Sequence, residues 1–468
     1  MASDRSRFAL FVGNRGFFPA SLLQSARREV VEVLEALGHQ VLTLDPGATR
    51  HGAVETAREG EAYARFLREN AGRYDGVILT LPNFGDETGA VAALREAGVP
   101  ILVHAYPDEL DRMSPAERRD AFCGKFSVMD VFCQYGVRFT ALKPHTVHPR
   151  SPRFAENVDA FDRICRVVRG MRSLVVGAIG ARTTAFKTVR CDELALQRHG
   201  VTVETFDLSG VLARVGKLSS GDDRVRARRD QLARYTSWAG VPEAAQEKLA
   251  RLGAVLDAMI EENGLGAIAL RCWVELQEQL GVSPCVLLGE LNDRGLAAAC
   301  ELDLGNAVTM QALRLAAGAP ATCLDWNNNY GDDDDRCILF HCGPVPQSLM
   351  AGRGQVSDHL ILANATGPGC GWGCNVGRIA PAPFTFGSLL TKDGRLEAYL
   401  GEGRFTSDPI PATFFGCAGV AHIEGLQDKL LRIGAAGHRH HVSVAPGHHR
   451  GPVAEALGKY LGYEITAL

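Results

Sequence analysis

The chain has 468 residues, 46% of them hydrophobic and 22% charged, with a formal net charge of -4. These values suit a globular protein of about three domains at ~150 residues each. The balance of charge argues against a nucleic-acid surface or a polybasic membrane face, and no apolar run approaches the ~18 residues of a membrane-spanning helix. Thirteen cysteines, several of them in apolar runs (Cys300, Cys323, Cys337), read as reduced thiols of a cytoplasmic protein. No CxxC pair has a partner pair, which argues against structural zinc. The N-terminus, MASDRSRFALFVGN, passes straight into a strand without the apolar segment and cleavage site of a signal peptide.

In chain order, FALFVGN is a continuous apolar strand of the buried parallel type. A helix over residues 21–37 follows, closed by Gly38. HQVLTLD is the next strand, residues 54–70 form a helix, and GVILTLP is a third strand ending before Asn83, Phe84, Gly85, Asp86 and Glu87. GVPILVHAY and YGVRFTAL make a fourth and a fifth strand. This is the pattern of an open, doubly wound sheet, whose ligands gather outside the carboxyl ends of its strands. GNRGFF is not the GxGxxG of a dinucleotide loop and reads as a tight turn, so a nicotinamide oxidoreductase is excluded. Lys125 and Ser127, near the start of a helix, can hold a ligand or form a solvated face.

The amphipathic helix over residues 151–170 marks a domain boundary. A second α/β unit opens with SLVVGAIGARTTAFKTV, in which Thr183 and Thr184 start a helix and either cap it or present its N–H groups to a ligand. VTVETFDLS is a strand, and residues 224–252 are a charged helical stretch. GAIALRCWVELQEQL is a strand running into a helix, with Trp273 and Glu275 at the junction, and SPCVLLGELNDRG is a strand running into a turn. From about residue 331 short strands alternate with Gly and Pro turns (CILFHCG, HLILANA, a long hairpin from GRIAPAP to GEGRF, HHVSVAPG), which suggests an antiparallel sandwich or barrel. A helix over residues 451–461 and a last strand end the chain. The expected architecture is two doubly wound Rossmann-like α/β domains, 1–170 and 171–316, followed by a mainly antiparallel β-barrel or sandwich domain, 317–468.

The chemistry concentrates around residues 296–341. Glu301 follows the small apolar run AAAC, an amphipathic helix occupies residues 305–317, the strand ATCLDW ends on Asp325, and the strand CILFH ends on His341. Carboxylates at strand ends suit a hard divalent cation such as Mg²⁺ or Mn²⁺, which takes oxygen ligands with some imidazole. Two carboxylates at one metal can also exchange protons with a substrate. The tail adds His438, His440, His441, His448 and His449. Alternation in HHVSVAP puts His441 and Ser443 on one strand face and His440, Val442 and Val444 on the other, but spacing alone does not choose among the imidazoles. These residues point to a metal-dependent enzyme acting on a small polyol.

NFGDE (residues 83–87), CGKFSVMDVFCQYG (123–136), GARTTAFKTVRCDE (180–193), RCWVELQEQLGVSPCVLLGELNDRGLAAACELD, LDWNNNY, FHCG and the histidine strand together resemble the L-fucose isomerase and L-arabinose isomerase family of ketol isomerases, over nearly the whole chain and closest to its substrate-uncharacterised branch. The resemblance implies an aldose–ketose isomerase working through a cis-enediolate, with Mn²⁺ or another divalent cation such as Mg²⁺ or Co²⁺. Glu301 and Asp325 match the family's two ligating carboxylates, which double as acid and base. His441 matches its histidine ligand, with His440 where the family has asparagine and valine where it has glycine. His341 matches an additional ligand of L-arabinose isomerase.

The family's trimers or hexamers close each site with a neighbour's first domain, so the resemblance makes Asn83, Asp86, Glu87, Lys125 and Ser127 substrate contacts in trans within a homo-oligomer. Arg182, Thr183, Trp273, Trp326 and Trp372 are further substrate-binding candidates, the tryptophans as stacking surfaces for a sugar. The loop from Gly367 to Gly377 has the glycines of a mobile lid. Arg15, Arg182, Arg271 and Arg378 raise an anionic sugar, phosphorylated or sulfonated, as substrate. Two other classes stay open: a non-catalytic sugar-binding sensor, and a metal-dependent aldolase-type lyase, which also passes through an enediolate.

Overall fold

The computed structural model describes residues 5–468. The chain divides into two compact units. One ends at Arg169 and takes in Glu455–Tyr460; the other comprises Gly170–Ala454 and Leu461–Leu468. Among the described residues no helix is long and apolar enough to cross a membrane.

The first unit is built on β1 (Phe8–Val12), β2 (Val41–Thr43), β3 (Gly76–Leu81) and β4 (Ile101–Ala105), parallel in the order β2-β1-β3-β4. β1, β3 and β4 are buried at every residue, as strands covered on both faces must be. The fifth strand expected from YGVRFTAL shrinks to one bridge, Thr140 to Leu102. Thr140 exchanges hydrogen bonds with Ile101 and Val103, but Pro144 lies just beyond and has no N–H to extend a ladder.

The second unit holds a four-stranded parallel sheet in the order β6-β5-β7-β8, from β5 (Leu174–Ile179), β6 (Val201–Phe206), β7 (Ala267–Leu270) and β8 (Ala297–Ala299). The charged stretch forms two helices, Asp223–Tyr235 and Glu243–Glu262, separated by a turn that ends at Pro242. Two expectations fail here. VLLGELND is a helix, Cys285–Asp293, not a strand; Cys285 through Asn292 are all buried, and a short helix buried on every side cannot be told from a buried strand by periodicity. Thr183 and Thr184 open no helix. The Thr183 hydroxyl donates to the Trp273 carbonyl at 3.1 Å, and the first α-helix after it, Glu193–Arg198, is capped by Asp192.

Nine further strands follow: β9 (Thr322–Asn329), β10 (Arg336–His341), β11 (Gln355–Ser357), β12 (Cys374–Arg378), β13 (Pro383–Lys392), β14 (Arg395–Phe405), β15 (Cys417–His422), β16 (His441–Pro446) and β17 (Glu464–Ala467). Six of them, β15-β10-β9-β16-β13-β14, pair antiparallel, and the contact of β14 with β15 closes them into a barrel. β12 with β11 extends it beside β15, and β17 beside β14. Leu324, Leu339, Phe384, Phe386, Tyr399, Val442 and Val444 fill the interior. HLILANA is a turn and a short helix, Ala363–Thr366, rather than a strand, with Leu360 and Ile361 exposed. The helix Leu304–Ala317 packs against β8 as well as β13 and β16, so it joins the parallel sheet to the outer wall of the barrel.

Candidate metal and active site

The site forms where the carboxyl ends of β7 and β8 meet that outer wall. β8 leads into Glu301 and Leu302, both left-handed with φ of 58°, a conformation that costs a non-glycine residue about 1–3 kcal/mol and recurs at functional sites. It turns the Glu301 carboxylate toward the barrel before Asp303 caps the helix by accepting from Asn306 N at 3.0 Å. Trp273, just past β7, donates from Nε1 to Glu301 Oε1 at 2.9 Å.

The barrel supplies the other side. Asp325 on β9 is the register partner of His441 on β16, and antiparallel partners share a face. His441 and Ser443 face the helix, bonded to Asp303 and Asn306, while Val442 and Val444 point into the barrel. His441 Nε2 lies 2.6 Å from Glu301 Oε2 and 3.5 Å from Asp325 Oδ1. His341, at the end of β10, brings Nε2 to 4.0 Å from Glu301 Oε2, and His440 Nε2 lies 3.7 Å from Asp325 Oδ1. Two triads of ligand atoms, Glu301/His341/His441 and Asp325/His440/His441, each lie within 4.8 Å of one another.

Hydrogen bonding separates the imidazoles. His441 Nδ1 donates to Asp303 Oδ2 at 2.7 Å, so the proton a metal would displace is the one on Nε2, the arrangement of a metal-ligating histidine. His341 is the reverse: Nδ1 accepts from Cys342 N at 2.8 Å, so the neutral ring keeps its proton on Nε2 and faces Glu301 as a donor. His341 Nε2 and Asp325 Oδ1 are buried without a hydrogen-bond partner, and His441 Nε2 meets only Glu301 Oε2, at 2.6 Å. Buried polar atoms left in this way are costly unless a ligand completes them. The donor set therefore fits a divalent cation.

Charge is balanced within the cluster. Burial opposes ionisation of Glu301, but the His441 hydrogen bond and charge, with His341 and Trp273, hold its pKa down to about 2. Burial also lowers His441, yet its bonds to Asp303 and Glu301 outweigh it and raise its pKa to about 10. Asp303 is pulled well below the usual carboxylate range despite complete burial, by Arg439 and His441. A cavity of about 260 Å³ opens beside Glu301 and His341, lined also by Trp273, Cys272, Cys300 and His359.

The remaining candidates separate. Trp326 alternates with Asp325 and points into the barrel, donating to Tyr399 OH at 3.2 Å and packing edge-on against Phe386, so it offers the site no stacking face. Trp372 packs against the core of the parallel-sheet region, with its carbonyl accepting from Ser283 N. Arg182 donates to the carbonyls of Thr183 and Thr184. In the first unit, Arg15, Asn83, Glu87 and Ser127 form one cluster beyond β1 and β3: Glu87 accepts from Arg15 and Ser127, and Asn83 accepts from Arg15 N at 3.2 Å. Asp86 caps the helix Glu87–Leu94. Lys125 is buried, donates to the His145 carbonyl at 2.8 Å, and has its pKa lowered by desolvation to about 8. Sequence reasoning missed Asp303 and Arg439; an aspartate opening a helix two residues after Glu301 was the available signal.

A family model for the N-terminal domain of fucose/sulfoquinovose isomerase matches residues 9–172, and one for the C-terminal domain of L-fucose isomerase matches residues 339–468. The chain belongs to the L-fucose isomerase-like family. Its relatives include the sulfoquinovose isomerase of Alkalicoccus urumqiensis, 22% identical over 287 residues, which are 61% of this chain and 63% of that protein. The sulfoquinovose isomerase of Clostridium sp. (strain MSTE9) is 24% identical over 262 residues, 56% of this chain and 58% of that protein. That of Priestia megaterium is 24% identical over 200 residues, 40% and 42%. The chain thus spans less than two thirds of the length of each relative it matches.

Proposed function

We propose that this protein is a metal-dependent aldose–ketose isomerase acting on a sugar through a cis-enediolate, a cytoplasmic intramolecular oxidoreductase. The observation that carries the reading is that Glu301 and Asp325 both approach His441 Nε2, at 2.6 and 3.5 Å, with His341 and His440 completing two ligand triads that share His441, in a chain of this family. Glu301, Asp325 and His441 would hold the ion, Mn²⁺ in the first instance. When bound, it supplies the Lewis acidity that makes a hydroxyl-bearing carbon give up its proton.

The protein's own groups do the rest. One carboxylate of the Glu301/Asp325 pair takes the proton from C2 and returns it to C1, while the other serves the proton exchanged between O1 and O2. Trp273 fixes Glu301 for this by occupying one of its oxygens. His341, with its proton on Nε2 and 4.0 Å from Glu301, acts as a hydrogen-bond donor toward a sugar oxygen rather than as a ligand. The relatives' names favour a sulfonated or otherwise anionic sugar. Arg182 is the cation assigned to it, because its neighbour Thr183 is bonded to the carbonyl of Trp273 beside Glu301. A trimer or hexamer, in which a neighbour's Asn83, Asp86, Glu87, Lys125 and Ser127 complete the site, follows from the family resemblance.

The test is incubation of chelator-stripped, Mn²⁺-reconstituted protein in D₂O with a panel of aldoses that includes sulfonated and phosphorylated ones. Ketose carrying deuterium at C1, and recovered aldose carrying it at C2, both lost in Glu301→Gln and Asp325→Asn, are the expected result. Sugar binding without exchange makes the protein a sensor, and a three-carbon product makes it a lyase.

A further inference from the structure

Five thiols gather beside the metal-site residues: Cys272, Cys285, Cys300 and Cys342 line the cavity, and Cys374 lies against Cys285. Two of them stand apart by position. β7 and β8 are parallel neighbours with Ala269 opposite Ala299, and each chain runs on from there into a cysteine followed by a site residue, Cys272–Trp273 and Cys300–Glu301. The Cys300 and Cys272 sulfurs are 3.1 Å apart, whereas Cys374 and Cys285 are separated by 3.9 Å. Both members of the closer pair are nearly inaccessible on the surface, at 6% and 2% exposure, so a reagent reaches them through the cavity. At about 260 Å³ the cavity has room for a small oxidant, since a water occupies ~30 Å³ of liquid.

We propose that Cys272 and Cys300 are a modifiable dithiol, which a hydroperoxide oxidises to a disulfide that displaces Trp273 and Glu301 and weakens the metal site. One thiol attacks the O–O bond, its proton passing to the departing oxygen, so that a sulfenic acid forms and the first water leaves. The second sulfur attacks the sulfenic sulfur, and a second water departs. The two thiols lose two electrons and one hydrogen peroxide is reduced to two waters. Bonded sulfurs sit about 2.05 Å apart, so closure draws the pair together by about 1 Å. Glu301 and Trp273 are the next residues in the chain, and the hydrogen bond between them crosses the same gap. A shift of that size at the left-handed Glu301 disturbs the ligand geometry that its fixed position maintains.

Bridge formation stands on the sulfur geometry alone, while its effect on metal rests on the proposed function, and the experiment keeps the two apart. The full-length protein is stripped with chelator, treated with hydrogen peroxide, and analysed by differential alkylation with peptide mass spectrometry and by Mn²⁺ titration calorimetry. The expected result is a Cys272–Cys300 cross-linked peptide and Mn²⁺ affinity about tenfold weaker, the size of effect seen when a ligand's support is disturbed, both reversed by dithiothreitol. In Cys300→Ser, and independently in Cys272→Ser, the ratio of treated to untreated affinity stays near one. The proposal is overturned if both thiols of the folded protein remain alkylatable, if the bridge joins Cys285 to Cys374 instead, or if the bridge forms with Mn²⁺ affinity unchanged. Absence of Mn²⁺ binding before treatment sinks the metal reading instead, and the peptide map alone then decides whether the dithiol exists.

Discussion

Asp303 does three jobs at once, and Asp303→Asn separates them. Its carboxylate caps the helix Leu304–Ala317, pairs with Arg439, and accepts from His441 Nδ1. Asparagine caps a helix about as well as aspartate, so that contribution survives. The ion pair does not. Asp303 is 0% and Arg439 3% exposed at the side chain, and removing one partner of so buried a pair costs about 3–5 kcal/mol because the other charge is stranded. The hydrogen bond to His441 becomes a neutral one, and losing such support typically weakens metal affinity ~10–100-fold. The assay is chemical unfolding together with Mn²⁺ calorimetry on the variant and on Asp303→Asn/Arg439→Met. The double variant regains much of the stability, since no unpaired charge remains, yet keeps the weakened metal affinity, since His441 is still without its carboxylate. If the single variant binds Mn²⁺ within about twofold of wild type while it is folded, Asp303 does not orient a ligand and the reasoning fails.

Trp326→Phe removes the hydrogen bond to Tyr399 and some interior volume. It lowers stability by about 1–3 kcal/mol and leaves sugar affinity unchanged, and a rise in KM on the sugar found in D₂O exchange would contradict its interior placement. His104 is buried between Thr80 and the Val147 carbonyl, and burial lowers its pKa from 6.5 to about 3. The unfolded chain therefore binds one more proton between those values, so this contribution is present above 6.5 and is lost as pH falls toward 3. Stability from this group drops by about 2 kcal/mol from about pH 7 to about pH 5. Urea unfolding of His104→Gln at both values shows a smaller pH dependence than wild type; an equal dependence refutes a neutral buried imidazole.

What the sequence revealed and what it hid follow from the range of each interaction. Buried parallel strands announce themselves as apolar runs, and the Gly- and Pro-punctuated tail signals antiparallel β-structure, because both patterns are local. Barrel closure is not local: it rests on Arg404 meeting His422 and Phe405 meeting Ala421, after a hairpin has already formed. The same limit hid Arg439, whose reason for being buried is an aspartate 136 positions earlier. Alternation was informative where it was applied. It placed His441 and Ser443 on one face and Val442 and Val444 on the other, as the structure does, but it set His440 with the valines, whereas His440 precedes the strand and lies 3.7 Å from Asp325. Applied equally to LDWN, it puts Trp326 on the face away from Asp325, so a tryptophan beside a ligand in sequence is for that reason turned away from it in a strand. Pattern could not choose among the imidazoles, and the resemblance that singled out His441 and His341 could not say which nitrogen of each is free to bind. That depends on Asp303 holding His441 Nδ1 and on Cys342 N donating to His341 Nδ1, two hydrogen bonds that give neighbouring imidazoles opposite chemistry.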